Sequence, residues 1–388
     1  APFVGDVDQD WGKVVPQGIG ALVAIDAAAQ LINASKRPMV IFGMQASKPD
    51  VANAVQNFLA KTKIPYTATF QGPGKWAQPE DRETFVGRVG LFRNQPSDHL
   101  LDQSDCVITV GYDPIEYDPN IWNQNNRRKL IAIDVIRSDQ DNDFMPEIEI
   151  IGEIGGSLDL LASKLVPNID AEFTSAVTDA LAQNKLTLAE GAQLNGTPIH
   201  PLRVIYELQK IITTDTHIAL DVGSNYIWMN RYYGAEYARQ VLVSNGQQTL
   251  GVALPWAIAT SLIYPDKRII SVSGDGGFLF SAMEMETAKR LGVKFIHLIW
   301  DSASYDMVSF QEAAHYAGDT AGVVLGHYDV VAYADVFGCK GYSITSADEI
   351  AGVFQEAISS DVPVLIHIPI DYSQNMRLMQ DVIQSFVN

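Results

Sequence analysis

The amino-acid sequence predicts an α/β protein of two doubly wound, parallel-sheet domains, and three observations carry that reading. Short runs rich in Val, Ile and Leu alternate with stretches whose apolar residues recur at helical spacing. The alternation happens twice, on either side of a polar stretch. One apolar run closes on Gly-Asp-Gly-Gly, in SVSGDGGFLF (271–280), and open parallel sheets bind ligands beyond the carboxyl ends of their strands.

Residues 1–18 (APFVGDVDQDWGKVVPQG) are rich in Pro, Gly and Asp, lack periodicity and are expected to form a linker or arm. A first domain is expected over 19–165. It opens with a helix in IDAAAQLINASK (25–36) and a buried strand in RPMVIFGMQ (37–45). A helix in DVANAVQNFLAKT and a strand in IPYTATF follow. Beyond a long loop come a helix in DHLLDQSD and strands in CVITVGY (106–112), LIAIDV (130–135) and EIEIIG (147–152), then a helix in SLDLLASKL. Residues 166–197 are polar and partly helical, and read as a connector.

The second domain, 198–388, starts from HPLRVIYELQKII (200–212). Its strands are expected in THIALDV (216–222), QVLVSN (240–245), RIISVSG (268–274), VKFIHLIW (293–300) and VPVLIHIPI (362–370). ALPWAIATSLIY, AMEMETAKRL and DVVAYADVFG supply helices between them. Strands linked through helices imply a parallel sheet covered on both faces.

Composition narrows the function classes. The 388 residues suit two or three domains, and 47% hydrophobic against 19% charged residues allows packed cores. A formal net charge of −19 opposes binding to phosphate backbones or anionic membranes, so neither nucleic acid nor a membrane is expected as a partner. No apolar run reaches the roughly 20 residues of a membrane span. Cys106 and Cys339 form no metal motif and no disulfide framework, which fits a reduced, cytoplasmic setting. An alanine, not methionine, stands first, which suggests a processed chain or a fragment.

Gly-Asp-Gly alone is common in turns. Its setting here is more demanding. Gly274, Gly276 and Gly277 let the backbone turn sharply around Asp275, and the following helix offers free N–H groups. That helix ends at Gly292, and the next strand runs into the oxygen-rich loop DSASYDMV (301–308). Two further strand ends carry small or polar loops, LDVGSNYIW (220–228) and SNGQQTLGVALPWAIAT (244–260). A packed sheet does not require three such loops. A cleft for a divalent cation and a diphosphate does. His200, His297 and His315 fall at a helix start, in a strand and in a helix, and read as structural.

These runs, with GRVGLFRNQPSDHLL (87–101), VGYDPIEYDPNIWN (110–123), GAQLN (191–195), HPLR (200–203), SNGQQTLGVALPWAI (244–258), SGDGGFLFSAMEMETAKRLG (273–292) and YDMVSFQE (305–312), resemble the thiamine diphosphate-dependent acetolactate synthase family. The wording is similar to the catabolic, flavin-independent members. The resemblance implies that 19–165 is the family's central Rossmann-like domain and 198–388 its C-terminal thiamine diphosphate-binding domain. It implies that the N-terminal domain, which supplies the cofactor-activating glutamate, is missing. The chain by itself is then expected to be inactive or nearly so.

Thiamine diphosphate and Mg²⁺ are the implied cofactors; FAD is not expected, although the sequence leaves flavin binding open. Asp275 would ligate Mg²⁺, with Gly274, Gly276 and Gly277 around the diphosphate. Gly223, Ser224 and Asn225 would hold its other side. Gln247 and Gln248 would lie near the cofactor rings, and Leu250 would keep the cofactor folded. Tyr305, Met307 and Val308 would line the site, and Gln311 would contact the reacting ketoacid. The family's second metal ligand is Asn or Asp, 27 residues after the first. Here 302 − 275 = 27, and the residue is Ser302. Either the Ser302 hydroxyl ligates the metal, or the loop shifts so that the neighbouring Asp301 does, or metal affinity is weaker; the backbone carbonyl of Ser304 would be the third ligand.

The implied reaction condenses two pyruvates to 2-acetolactate and CO₂, in a homodimer or tetramer. A pyruvate oxidase or ketoacid decarboxylase of the same cofactor class is the rival activity. A non-catalytic diphosphate-binding fragment is the rival of another class. A nucleotide-binding protein is disfavoured because no glycine loop ends in a Walker lysine.

Overall fold

The structure is a computed structural model that describes residues 17–72, 83–91, 93–235, 237–244, 247–375 and 378. Most of the expected arm (1–18), Phe92 and Gly246 lie outside the described residues.

The chain forms two parallel six-stranded sheets. The first comprises β1 (Pro38–Phe42), β2 (Tyr66–Thr69), β3 (Phe85–Val89), β4 (Cys106–Val110), β5 (Lys129–Asp134) and β6 (Ile148–Ile151). Their order across the sheet is β3-β2-β1-β4-β5-β6. Helices α1 (Leu22–Ala34), α2 (Pro49–Thr62), α3 (Pro96–Gln103), α4 (Pro119–Trp122) and α5 (Ile154–Lys164) connect and flank these strands. Helix α2 shows how local sequence sets the bounds. Pro49 opens its first turn, and Lys63 stops it in the left-handed conformation. Alternate residues of each strand face opposite cores. Val40 and Phe42 pack into one, and Met39 and Ile41 into the other.

The expected connector carries α6 (Ala171–Glu190), a 20-residue helix capped by Asp170, whose carboxylate accepts the Phe173 N–H at 2.6 Å. Then follow α7 (Pro201–Ile211), β7 (Thr216–Leu220), α8 (Ser224–Tyr232), β8 (Val241–Leu242), α9 (Ala253–Ile263), β9 (Arg268–Gly274), α10 (Asp275–Ser281) and α11 (Glu284–Leu291). The chain continues through β10 (Ile296–Asp301), α12 (Asp306–His315), α13 (Val330–Val336), β11 (Lys340–Ser343), α14 (Ile350–Ile358) and β12 (Val364–Pro369). The second sheet has the order β11-β12-β10-β9-β7-β8. Ile270 and Val272 face one core, Ile269 the other.

Two strands were not expected from sequence. β3 and β11 are short, and Gly87 and Gly341 interrupt their apolar pattern. The expected QVLVSN strand shrinks to two residues at the sheet edge. The two domains meet through side chains. Phe70, just past β2, joins the core of the second domain, its ring 5.4 Å from that of Tyr226. Arg88 on β3 donates from Nη1 to Asn230 Oδ1 at 2.8 Å.

Candidate active site

Four strand ends of the second sheet, β7, β8, β9 and β10, converge on one cleft. Its lining includes Val222, Gly223, Ser224, Asn225, Leu250, Gly274, Asp275, Gly276, Gly277, Ser302, Ser304, Tyr305, Asp306, Met307, Val308 and Tyr372. Of the candidate site residues singled out from sequence, Gln247, Gln248, Gln311 and the alternative metal ligand Asp301 lie outside that lining. Gln247 and Gln311 are exposed, and Gln248 is half-buried with φ of 48°.

The loops are held by backbone geometry and by buried carboxylates. Gly223 leaves β7 with φ of 147°, a conformation costly for any side chain. A Cβ on Gly277 would stand 2.9 Å from Asp221 Oδ1, so only glycine lets α10 approach that carboxylate. Asp221 itself is fully buried. Its carboxylate accepts the N–H groups of Val222, Gly251 and Ala253, each at 3.0 Å. Burial pushes its pKa up, and these N–H donors oppose the rise. The result is that the loop carrying Leu250 is pinned against the end of β7.

Asp275 accepts the Ser304 N–H at 3.0 Å, and its backbone carbonyl accepts the Tyr328 hydroxyl at 3.3 Å. Trp300 pairs with Gly274 across the sheet, so Asp275 and Asp301 leave neighbouring strands at one level. Their carboxyl groups are in hydrogen-bonding contact. Burial, then that contact, pushes Asp275 up to about 7. Asp301 is held down at about 2, first by His367. His367 Nε2 stands 2.7 Å from Asp301 Oδ2, and the Ala303 N–H donates to Asp301 Oδ1 at 2.7 Å. Ser302 donates its hydroxyl to the Ser304 carbonyl at 3.3 Å. Among the described residues no three His, Cys, Asp or Glu side chains gather as a metal cage. The donor set here is two carboxylates plus hydroxyl and carbonyl oxygens, hard ligands that suit Mg²⁺.

Sequence reasoning missed a polar network behind the cleft. Ser224 donates its hydroxyl to Asp306 Oδ2. Asn375 donates to Asp306 at 2.7 Å and to Ser224 Oγ at 2.9 Å, while accepting from Trp228 Nε1 at 2.8 Å. Burial raises the Asp306 pKa. Asn375 and Tyr372 lie far along the chain and carry no motif, whereas Asp306 sits inside the YDMV run and could have been found there. Asn225 Oδ1 is buried with no hydrogen-bond partner. It stands 3.8 Å from where a Cβ on Gly274 would be, so an acceptor faces the cleft and awaits a cation or a donor.

The three histidines are placed away from the cleft lining. His200 caps α7, its Nδ1 accepting the Leu202 N–H at 3.1 Å. His297 is buried between the Ser271 and Ser273 hydroxyls at 2.7 and 2.9 Å. His315 is exposed at the end of α12.

Comparison with known proteins accounts for this arrangement. Residues 221–368 match the family described as "Thiamine pyrophosphate enzyme, C-terminal TPP binding domain", and residues 25–161 match "Thiamine pyrophosphate enzyme, central domain". The chain belongs to the thiamine pyrophosphate enzymes. Among relatives, "Acetolactate synthase" of Bacillus subtilis is 41% identical over 362 residues, covering 92% of this chain and 63% of that protein. "Acetolactate synthase, catabolic" of Raoultella terrigena is 40% identical over 359 residues, covering 92% of this chain and 64% of that protein. "Probable acetolactate synthase large subunit" of Methanocaldococcus jannaschii is 28% identical over 389 residues, covering 97% and 64%. The chain thus spans a little under two thirds of the length of these relatives. Within it, the TPP-binding match holds the whole cleft lining except Tyr372. Among the described residues no helix is long and apolar enough to cross a membrane.

Proposed function

We propose that this chain is the cofactor-binding part of an acetolactate synthase that condenses two pyruvates to 2-acetolactate with release of CO₂. The observation that carries the reading is the cleft itself. Asp275 and the glycine turn at 274–277 line it, and Asp301 ends the neighbouring strand beside Asp275, in a chain about 40% identical to two proteins of that name.

The buried Asn225 acceptor and the touching Asp275 and Asp301 carboxylates fit a cation bound against a diphosphate. Asp275 and Asp301 would hold Mg²⁺, aided by the Ser302 hydroxyl and the Ser304 carbonyl. Asp301 is favoured over Ser302 as the second anionic donor because an ionised carboxylate is the better Mg²⁺ ligand. The N–H groups of Gly276 and Gly277, with Gly223, Ser224 and Asn225, would bind the diphosphate oxygens. When bound, thiamine diphosphate supplies the nucleophilic carbon for ketoacid chemistry. Leu250 offers an apolar wall against which the cofactor folds, and Gln247 and Gln248 precede it in the same loop. Tyr305, Met307 and Val308 would border the substrate space. Gln311 lies one turn beyond Met307 on α12, on the same helical face, and would meet the second ketoacid.

FAD is not part of this proposal. A homo-oligomer in the cytoplasm completes the proposal. The two free, buried cysteines agree with a reducing compartment.

Calorimetric titration with thiamine diphosphate, with and without Mg²⁺, tests the site. Mg²⁺-dependent binding that Asp275→Ala abolishes is expected. Binding indifferent to Mg²⁺ and to that substitution would remove the cation from the proposal. For the protein that carries this chain, the carbon product formed from pyruvate tests the reaction. Acetaldehyde or acetate in place of acetolactate would assign the rival activities.

A further inference from the structure

Four neighbouring strand ends carry one line of polar side chains: Ser343 on β11, His367 on β12, Asp301 on β10, and Asp275 directly after β9. The sheet register sets this line up. Ser343 pairs with His367, and His367 with Ile299. Asp301 stands two residues beyond Ile299, so its side chain leaves the same face of the sheet. His367 Nδ1 is 3.0 Å from the Ser343 hydroxyl, and its Nε2 is 2.7 Å from Asp301 Oδ2. The His367 and Asp301 side chains are only 20% and 16% exposed, so water competes little for their bond.

The chemistry of these groups orders their protons. An ionised carboxylate can only accept, so Nε2 carries the hydrogen. In a neutral imidazole Nδ1 then accepts, and the Ser343 hydroxyl is the donor that suits it. Ser343 thus favours the tautomer that aims an N–H at Asp301. The other Asp301 oxygen accepts the Ala303 N–H at 2.7 Å, in a turn where Ala303 takes φ of 54°. A donor on each oxygen fixes the plane of the carboxylate and leaves acceptor capacity on the side of Asp275. Ser302, by contrast, turns its hydroxyl to the Ser304 carbonyl.

We infer that His367, itself oriented by Ser343, is a positioning residue that presents Asp301 rather than Ser302 to the divalent cation. The inference rests on the cation site proposed above. Hydrogen-bond partners of metal ligands hold them in one orientation, and losing such a partner costs about tenfold to a hundredfold in metal affinity.

The test is calorimetric titration of Mg²⁺ into the protein at a fixed excess of thiamine diphosphate and one pH. Parent, His367→Leu, His367→Gln, Ser343→Ala and Asp275→Ala are compared. His367→Leu should weaken Mg²⁺ binding about tenfold or more. His367→Gln should recover most of the loss, because its amide N–H can still reach Asp301, whereas leucine fills the space without a donor. A role in packing alone would not rank the two in that order. Ser343 is exposed, so water can replace part of its hydroxyl's effect, and Ser343→Ala should weaken binding only about two- to fivefold. Thermal melts in Mg²⁺-free buffer check that each variant is folded. If His367→Leu does not fold, Ser343→Ala against Ser343→Thr, which keeps the hydroxyl, decides. Parent-like affinity in His367→Leu, or equal losses in the leucine and glutamine variants, overturns the inference even where Asp275→Ala abolishes binding. Parent-like affinity in Asp275→Ala removes the cation site itself, and the inference with it.

Discussion

The N–H of Gly251 donates to Oδ1 of Asp221 at 3.0 Å, and this bond fixes where Leu250 stands. Asp221 ends the first strand of its sheet, and Leu250 lies 29 residues further on. One buried carboxylate thus ties a strand end to the apolar wall of the cleft. Replacing Asp221 with Ala leaves three buried N–H groups without their acceptor. A loss of about 1–3 kcal/mol in stability is expected, together with weaker cofactor binding. Urea unfolding and calorimetry on the same variant check this, and an unchanged unfolding midpoint would refute the pinning role.

Leu250 is half-buried, so Leu250→Ala should cost less stability than a fully buried leucine, below about 2 kcal/mol. Its effect on turnover should be larger, about tenfold to a hundredfold, because a misplaced reacting group loses its pre-paid orientation. Leu250→Met conserves volume and should retain most activity. Pyruvate turnover by the protein that carries this chain separates the two variants. Equal activity in both would show that the wall at 250 does not shape the cofactor.

The metal loop makes opposite predictions for adjacent residues. Asp301→Asn removes an ionised donor and should weaken Mg²⁺-dependent cofactor binding about tenfold or more. Ser302→Asp adds a third carboxylate beside Asp275 and Asp301, and should tighten it. Mg²⁺ titrations at fixed thiamine diphosphate read both. Unchanged affinity in Asp301→Asn would return the second-ligand role to Ser302.

His297 gives the molecule a pH dependence of known sign. Burial lowers its imidazole from 6.5 to about 3. The unfolded chain takes up a proton below pH 6.5, and the folded chain resists until about 3. The stability due to neutral His297 is therefore complete above 6.5 and declines as pH falls through that window. Between pH 7 and 5 the decline is about 2 kcal/mol. His297→Gln cannot titrate, so its unfolding free energy should change by that much less over the interval. Parallel pH profiles for the two proteins would contradict the burial argument.

How far the sequence announced these features depends on the residue. The alternation of apolar strands and amphipathic helices was readable because each sheet is covered on both faces, so strands such as PMVIF (38–42) are apolar throughout. β3 and β11 were not, because glycines break their pattern and neighbours supply their pairing. The Gly-Asp-Gly turn exposed Asp275 directly. Asp301 was harder to weigh, since its value rests on β10 lying beside β9 and on His367 behind it, a pairing across 66 positions of sequence. Asn375 and Tyr372 belong to the same class. Their roles are set by what the fold brings near them, and a single sequence carries no mark of that.

The backbone at 303–305 is laced to a second segment. Leu325 donates its N–H to the Ala303 carbonyl at 2.9 Å, Tyr305 donates to Val323 at 2.8 Å, and Ser304 bridges Val324, whose side chain is 83% exposed. Anyone transplanting metal-loop variants between related proteins therefore inherits a two-piece graft. A donor loop moved without its 323–325 counterpart would arrive with its hydrogen-bonding register unmatched. The outward face of Val324, by contrast, is free to be exchanged for a tag, a label or a charged residue.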